Sequence, residues 1–263
     1  MKIFLVLILH LTICANVNAQ NWNLVWADSF NNSIKLQNWK FEIGDGGWGN
    51  NELQYYTNRA DNALVSNGNL LIIAKKENYQ GSNYTSARMV SKDLQTWTYG
   101  KIEARIKLQQ TQGVWPAFWM LGSNIQTGVE NPDNSSTLAW PACGEIDIME
   151  YLGNSPTKIF GTVHGPGYSG GESISKNFFL SNSRFDTDFH VFGIEWDENK
   201  INFYVDDFLY HSVTPSDVPG DWVFNQPFYL ILNIAVGGNL PGSPNAETPF
   251  PQSMLVDYIR IYE

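Results

Sequence analysis

Cysteine is almost missing from this chain: 263 residues contain two, Cys14 and Cys143. Cys14 falls in an N-terminal stretch that reads as a leader, which leaves Cys143 alone and excludes an internal disulfide. Stability must then come from one hydrophobic core, which this length permits. Positive charge is also scarce. Sixteen Lys and Arg stand against 26 Asp and Glu, a net charge of −10. A nucleic-acid partner needs a basic footprint, and none is present. No apolar run reaches the roughly 20 residues of a membrane span, so no membrane partner is expected. There is no H-E-x-x-H, no paired-cysteine zinc pattern, no internal repeat and no linker. Beyond residue 20 no capped amphipathic helix is visible.

Aromatic rings are plentiful, with ten Trp and twelve Tyr, and 14% of residues are Phe, Trp or Tyr. Disorder is excluded by that content together with a charged fraction of only 16%. Most such rings belong to a core, but a ring with a polar edge also suits a flat polar ligand such as a sugar.

The first residues read as a secretory signal peptide. Met1-Lys2 gives a positive start, Ile3 to Ile13 is mostly apolar, and Val17-Asn18-Ala19 supplies small residues for cleavage. The expected organisation is a signal peptide over 1–19 and one catalytic domain over 20–263, exported to the periplasm or the exterior.

The remainder reads as strands. Ile102, Ala104, Ile106 and Leu108 alternate with Lys101, Glu103, Arg105 and Lys107, the period of a half-buried strand. Ile201 to Val205 alternates likewise before an Asp206-Asp207 turn. Leu70 to Ala74 leaves a turn at Asn67-Gly68-Asn69, and Phe228 to Val236 and Met254 to Tyr262 are further β-rich runs. Gly- and Pro-rich clusters punctuate the chain, so an all-β antiparallel sandwich or barrel is expected. Gly44 to Gly49 and Gly165 to Gly170 fit G-x-G-x-x-G, and Gly167 to Gly171 fits G-x-S-x-G. Both motifs need a following helix, and none follows.

The informative stretch is Gly144-Glu145-Ile146-Asp147-Ile148-Met149-Glu150. Three acids interrupt an apolar, β-prone segment, where burying a carboxylate is costly. Glu145 and Asp147 share a strand face. Glu150 has the wrong parity, but one β-bulge near Ile148-Met149 would return it to that face. Paired acids at short range suit retaining glycoside hydrolysis, with one nucleophile and one acid/base. A calcium site or a solvated face remains the alternative from spacing alone.

The segment Trp140 to Glu150 resembles the active-site strand of glycoside hydrolase family 16, in the E-x-D-x-x-E form of its laminarinase-type branch. The resemblance extends through Gly47 to Thr57, Tyr84 to Val90, Gly113 to Leu121, Gly161 to Gly165 and Val256 to Tyr262. It implies a β-jelly-roll of two curved antiparallel sheets with a concave substrate cleft. It implies Glu145 as nucleophile, Asp147 as assisting acid and Glu150 as acid/base, with His164 beside them. Trp115 and Trp119 look like sugar platforms, and Asn51 and Arg88 resemble polar groups lining the cleft. His190 and His211 carry no such motif and are read as structural. Catalysis needs no cofactor. A structural Ca²⁺ is implied at Asp28, the Gly68 carbonyl and Asp257, since oxygen-only ligands suit a hard cation. The implied activity is a monomeric endo-β-1,3-glucanase acting on laminarin-like β-1,3-glucan. The alternatives are a β-1,3-1,4-glucanase, a galactan-cleaving relative, or a binding module, the last opposed by the presence of all three acids.

Overall fold

The computed structural model describes residues 21–109, 111–126 and 139–263. The leader read at 1–19 lies outside them. The described strands are, in chain order, β1 (Leu24–Asp28), β2 (Lys40–Glu42), β3 (Gln54–Tyr56), β4 (Ala63–Ser66), β5 (Asn69–Tyr79) and β6 (Ser82–Ser86). They continue with β7 (Arg88–Val90), β8 (Gly100–Lys107), β9 (Val114–Gly122), β10 (Glu145–Tyr151), β11 (Lys158–His164) and β12 (Ile174–Phe179). The last are β13 (His190–Asp197), β14 (Lys200–Val205), β15 (Phe208–Val213), β16 (Phe228–Val236) and β17 (Gln252–Tyr262).

They form two sheets, a jelly-roll sandwich. The seven-stranded sheet runs β12-β11-β10-β9-β16-β7-β2. The ten-stranded sheet runs β15-β14-β13-β8-β17-β5-β6-β3, with β1 on β17 and β4 on β5. One pairing departs from the expected antiparallel pattern: β3 and β6 run parallel. The sequence between them returns through the β4–β5 hairpin, so Gln54–Tyr56 reaches β6 in the same direction.

Alternation explains which faces meet. Ile102, Ala104 and Ile106 of β8 point inward with Phe192, Ile194 and Trp196 of β13 and Ile201, Phe203 and Val205 of β14. Phe118 and Met120 of β9, Ile146 and Ile148 of β10, and Leu230, Leu232 and Ile234 of β16 join the same core from the other sheet. Each of the larger side chains contributes roughly 1.5–3 kcal/mol on burial, and together they do the work no disulfide does. Asn67 and Gly68, both at positive φ (51° and 73°), make the two-residue turn from β4 to β5, and Asp206 and Asp207 (49° and 65°) make that from β14 to β15. Positive φ at both central residues matches the right-handed strand twist. Among the described residues the helical pieces are two single 3₁₀ turns, Gly47–Gly49 and Gly170–Glu172. The first falls within Gly44 to Gly49 and the second begins at the last residue of Gly165 to Gly170, and neither opens a helix that could cradle a phosphate.

The inner face of the seven-stranded sheet is thus consumed by the core. Its outer face carries the alternate residues of β7, β9, β10, β11 and β16, and there the polar and aromatic side chains collect.

Candidate active site

Strand β10 has the bulge its acids require. Against β11, Asp147 pairs with Thr162 and Glu150 with Phe160, three residues opposite two. Against β9, Ile146 pairs with Met120 and Met149 with Phe118, again three opposite two. Ile148 and Met149 are consecutive and both buried, at 1% and 0% exposure. Two successive inward residues reset the alternation, so Glu145, Asp147 and Glu150 all project outward.

Each acid has a distinct environment. Trp140 Nε1–H donates to Glu145 Oε2 at 3.0 Å. Glu145 Oε1 lies 3.6 Å from His164 Nε2, and Asp147 Oδ2 lies 3.2 Å from the same nitrogen. No hydrogen bond reaches Asp147 Oδ2, which is buried. Glu150 accepts at both oxygens, Oε1 from Trp115 Nε1–H at 3.2 Å and Oε2 from the Thr162 hydroxyl at 3.2 Å.

Burial raises all three carboxyl groups. It pushes Glu145 up to about 8, helped by the charge of Asp147 and opposed by His164 and the Trp140 hydrogen bond. Asp147 stands well above the usual carboxylate range, from burial first and Glu150 second. Glu150 is raised by burial, against His164, Thr162 and Trp115. Three adjacent carboxylates cannot all ionise in such a site. Asp147 is the deepest, at 4% exposure, and lies within hydrogen-bonding reach of Glu145. With the shared proton on Asp147, the repulsion that adds to burial in raising Glu145 is relieved, which favours Glu145 over Asp147 as the carboxylate of the pair.

Glu145, Asp147 and His164 also place one ligand atom each within 4.8 Å of one another, the one such trio among the described residues. A hydrolytic metal there would need Glu145 and Asp147 both ionised, which their burial opposes.

Trp115 and Trp119 share the outer face of β9, as their spacing predicts. Trp119 is tethered by Nε1–H to Asn233 Oδ1 at 2.7 Å. Arg88 stacks over Trp119 at 4.7 Å and over Trp48 at 4.9 Å, while pairing with Glu42. Arg88 therefore braces a ring and does not present a free guanidinium. Asn51, exposed and at φ 56°, binds Asn239 across two loops at 2.8 Å and is not brought among the acids. His190 pairs with Asp206 at 2.6 Å, and His211 stacks on Phe203 at 5.2 Å. Trp140, Thr162, Trp48 and Asn233 were not singled out by the sequence. Trp140, Trp48 and Thr162 lie in segments that carried the resemblance, and Asn233 does not. No spacing rule marks Trp48, Thr162 or Asn233, because Arg88, Glu150 and Trp119, which they meet, are distant in sequence.

The expected cation ligands do not fit calcium. The Asp28 carboxylate, fully buried, accepts from Lys35 Nζ, Asn38 Nδ2 and Trp39 Nε1, each at 3.1 Å. An ammonium and two neutral donors hold the positions a cation would take. Asp257 is bound to Arg105 at 2.6 Å, and Gly68 turns a hairpin.

Comparison with known proteins agrees with this geometry. The model of glycosyl hydrolases family 16 matches residues 50–260. The chain is 41% identical over 254 residues to a beta-glucanase of Rhodothermus marinus, covering 93% of this chain and 86% of that one. It is 40% identical to a glucan endo-1,3-beta-glucosidase of Cryptopygus antarcticus, covering 89% and 87%. The structure is similar to the catalytic domain of an endo-1,3-beta-glucanase (laminarinase) from Thermotoga petrophila, with TM-score 0.84 and 47% identity over 92% of this chain and 98% of that one.

Proposed function

The chain belongs to glycosyl hydrolases family 16, and on that premise we propose that it is an endo-β-1,3-glucanase acting on laminarin-like glucan with retention of configuration. The observation that carries the reading is the bulged strand with three acids on one face, Asp147 buried and Glu145 and Glu150 half-buried, each outer acid held by an indole N–H.

The chemistry is double displacement. Protonated Glu150 gives its proton to the glycosidic oxygen as the C–O bond breaks. A lone pair of Glu145 forms the new bond to the anomeric carbon, giving a covalent glycosyl-enzyme. Glu150, now a carboxylate, takes a proton from water, and the water oxygen displaces Glu145. Burial raises Glu150, which suits its first role, and Trp115 and Thr162 fix both its oxygens for the second. Asp147 keeps a proton beside Glu145, so the nucleophile needs only one charge in the cluster. The reaction needs no cofactor. Trp119, half-buried and braced by Arg88, offers a ring on which a glucose C–H face can pack.

Export after cleavage at Ala19 and action as a monomer complete the reading. The leader's charge and apolar run support the first. The second is supported by a site assembled from one chain's own strands.

Product profiling on laminarin, mixed-linkage β-glucan, agarose and carrageenan tests the substrate. The proposal expects a ladder of oligosaccharides from laminarin early in the reaction. Tight laminarin binding without any hydrolysis would instead make the chain a binding module.

A further inference from the structure

Trp140 is held in an unusual place. Two tight backbone contacts, Cys143 N–H to Ala139 O at 3.0 Å and Gly144 N–H to Pro141 O at 2.9 Å, curl the segment just before β10. Gly144 (φ 76°) makes the exit from that curl, and a Cβ there would come 2.9 Å from the Phe228 ring. Gln226 Nε2–H pins the Cys143 carbonyl at 2.7 Å. The curl folds the Trp140 indole back over the strand it precedes. Its N–H reaches Glu145 Oε2, and its ring centroid sits 5.8 Å from that of His164. Even so, the side chain belongs to a residue 45% exposed, so burial does not explain the arrangement.

We propose that Trp140 is a positioning residue for the nucleophile: its N–H anchors Glu145 Oε2 and leaves Oε1 as the attacking atom. This rests on the reading of Glu145 as nucleophile. A donor to one carboxylate oxygen fixes the carboxyl plane and favours the ionised form. The other titratable groups around Glu145 are Asp147 and Glu150 on β10, His164 on β11, the Cys143 thiol in the curl and the Tyr229 hydroxyl on β16. Among these only His164 can add a second positive influence, and it is shared with Asp147.

Trp140→Phe keeps the ring and deletes the N–H. An activated 2-fluoro laminari-oligosaccharide that traps the glycosyl-enzyme counts active sites and, by peptide mapping, identifies the labelled residue. The expected result is label on Glu145, kcat per labelled site lowered about tenfold or more, KM within about twofold, and the acidic limb of kcat/KM moved to higher pH. Removing a bond that favours the carboxylate raises Glu145, so more alkaline conditions are needed to ionise it. Trp140→Ala should add a rise in KM. If Trp140→Phe labels on Glu145 with kcat and acidic limb as in the parent, the inference falls and the nucleophile stands. A lowered kcat with an unmoved limb also overturns it, marking Trp140 as merely structural. Label on another residue overturns both.

Discussion

The indole N–H of Trp115 donates to Glu150 Oε1 at 3.2 Å. A ring read from sequence as a sugar platform is thus also a support for the proposed acid/base. Losing a platform alone weakens ground and transition states equally and raises KM. Losing a hydrogen bond to a charged group costs about 1.5–3 kcal/mol. Trp115→Phe is therefore expected to lower kcat by roughly tenfold with little change in KM, and Trp115→Ala to worsen both. Steady-state kinetics on laminari-oligosaccharides separates the two. A pure KM effect in both variants would mean the hydrogen bond is idle.

The Trp119 N–H donates to Asn233, not to an acid. Its edge is tied to Asn233 and one face meets Arg88. Trp119→Ala should weaken oligosaccharide binding by about 1–3 kcal/mol, by analogy with bases stacked on aromatics, which is roughly fivefold to 150-fold in Kd. Calorimetric titration in a Glu145→Ser background, with a melting curve alongside, measures this. A large fall in Tm with unchanged affinity would assign the ring to the core.

Glu145 carries a pH signature in stability. Its ordinary value is 4.5, and the folded site holds it at about 8. The folded state therefore binds the proton more tightly than the unfolded chain. Below pH 4.5 both states are protonated and no penalty exists. Between 4.5 and 8 stability falls as pH rises, and above 8 the loss is complete. Glu145→Gln removes the proton exchange. It should match the parent near pH 4 and exceed it by up to a few kcal/mol at pH 8 to 9. Denaturant titrations across that range check it; an advantage confined to acid pH would contradict the assignment.

Much of the active face was legible because it rests on parity. The wrong parity of Glu150 relative to Glu145 called for one extra residue, and the pairings of β10 show it at the expected place. The runs at β8, β14 and β16 could be read for the same reason, since alternating or continuous burial is written in consecutive residues. Partners brought from elsewhere were not legible. Asp28 reads as a lone acid in Trp26-Ala-Asp-Ser-Phe30. Nothing local says that Lys35, Asn38 and Trp39 converge on it. The parallel β3–β6 pairing escaped for a similar reason, because three-residue strands carry no period and direction depends on the chain's return path. Trp140 was visible as a motif letter, but its bond to Glu145 depends on a backbone curl.

That convergence on Asp28 has a thermal consequence. Its carboxylate is already satisfied by protein donors, so dialysis against a chelator should leave Tm within about a degree. Asp28→Ala strips a buried cluster of its acceptor and should cost on the order of 2–4 kcal/mol. Differential scanning calorimetry measures both. A fall of many degrees on chelation alone, restored by calcium, would reinstate a metal at this end of the sandwich.

The central claim is that the bulge sets Glu145 and Glu150 on one face for double displacement. Proton NMR of the reducing end first released from laminarin tests it directly. Two inversions at the anomeric carbon predict that the β-anomer appears first and then mutarotates toward equilibrium. The α-anomer appearing first would contradict the account, since it requires a water, not Glu145, to make the first attack.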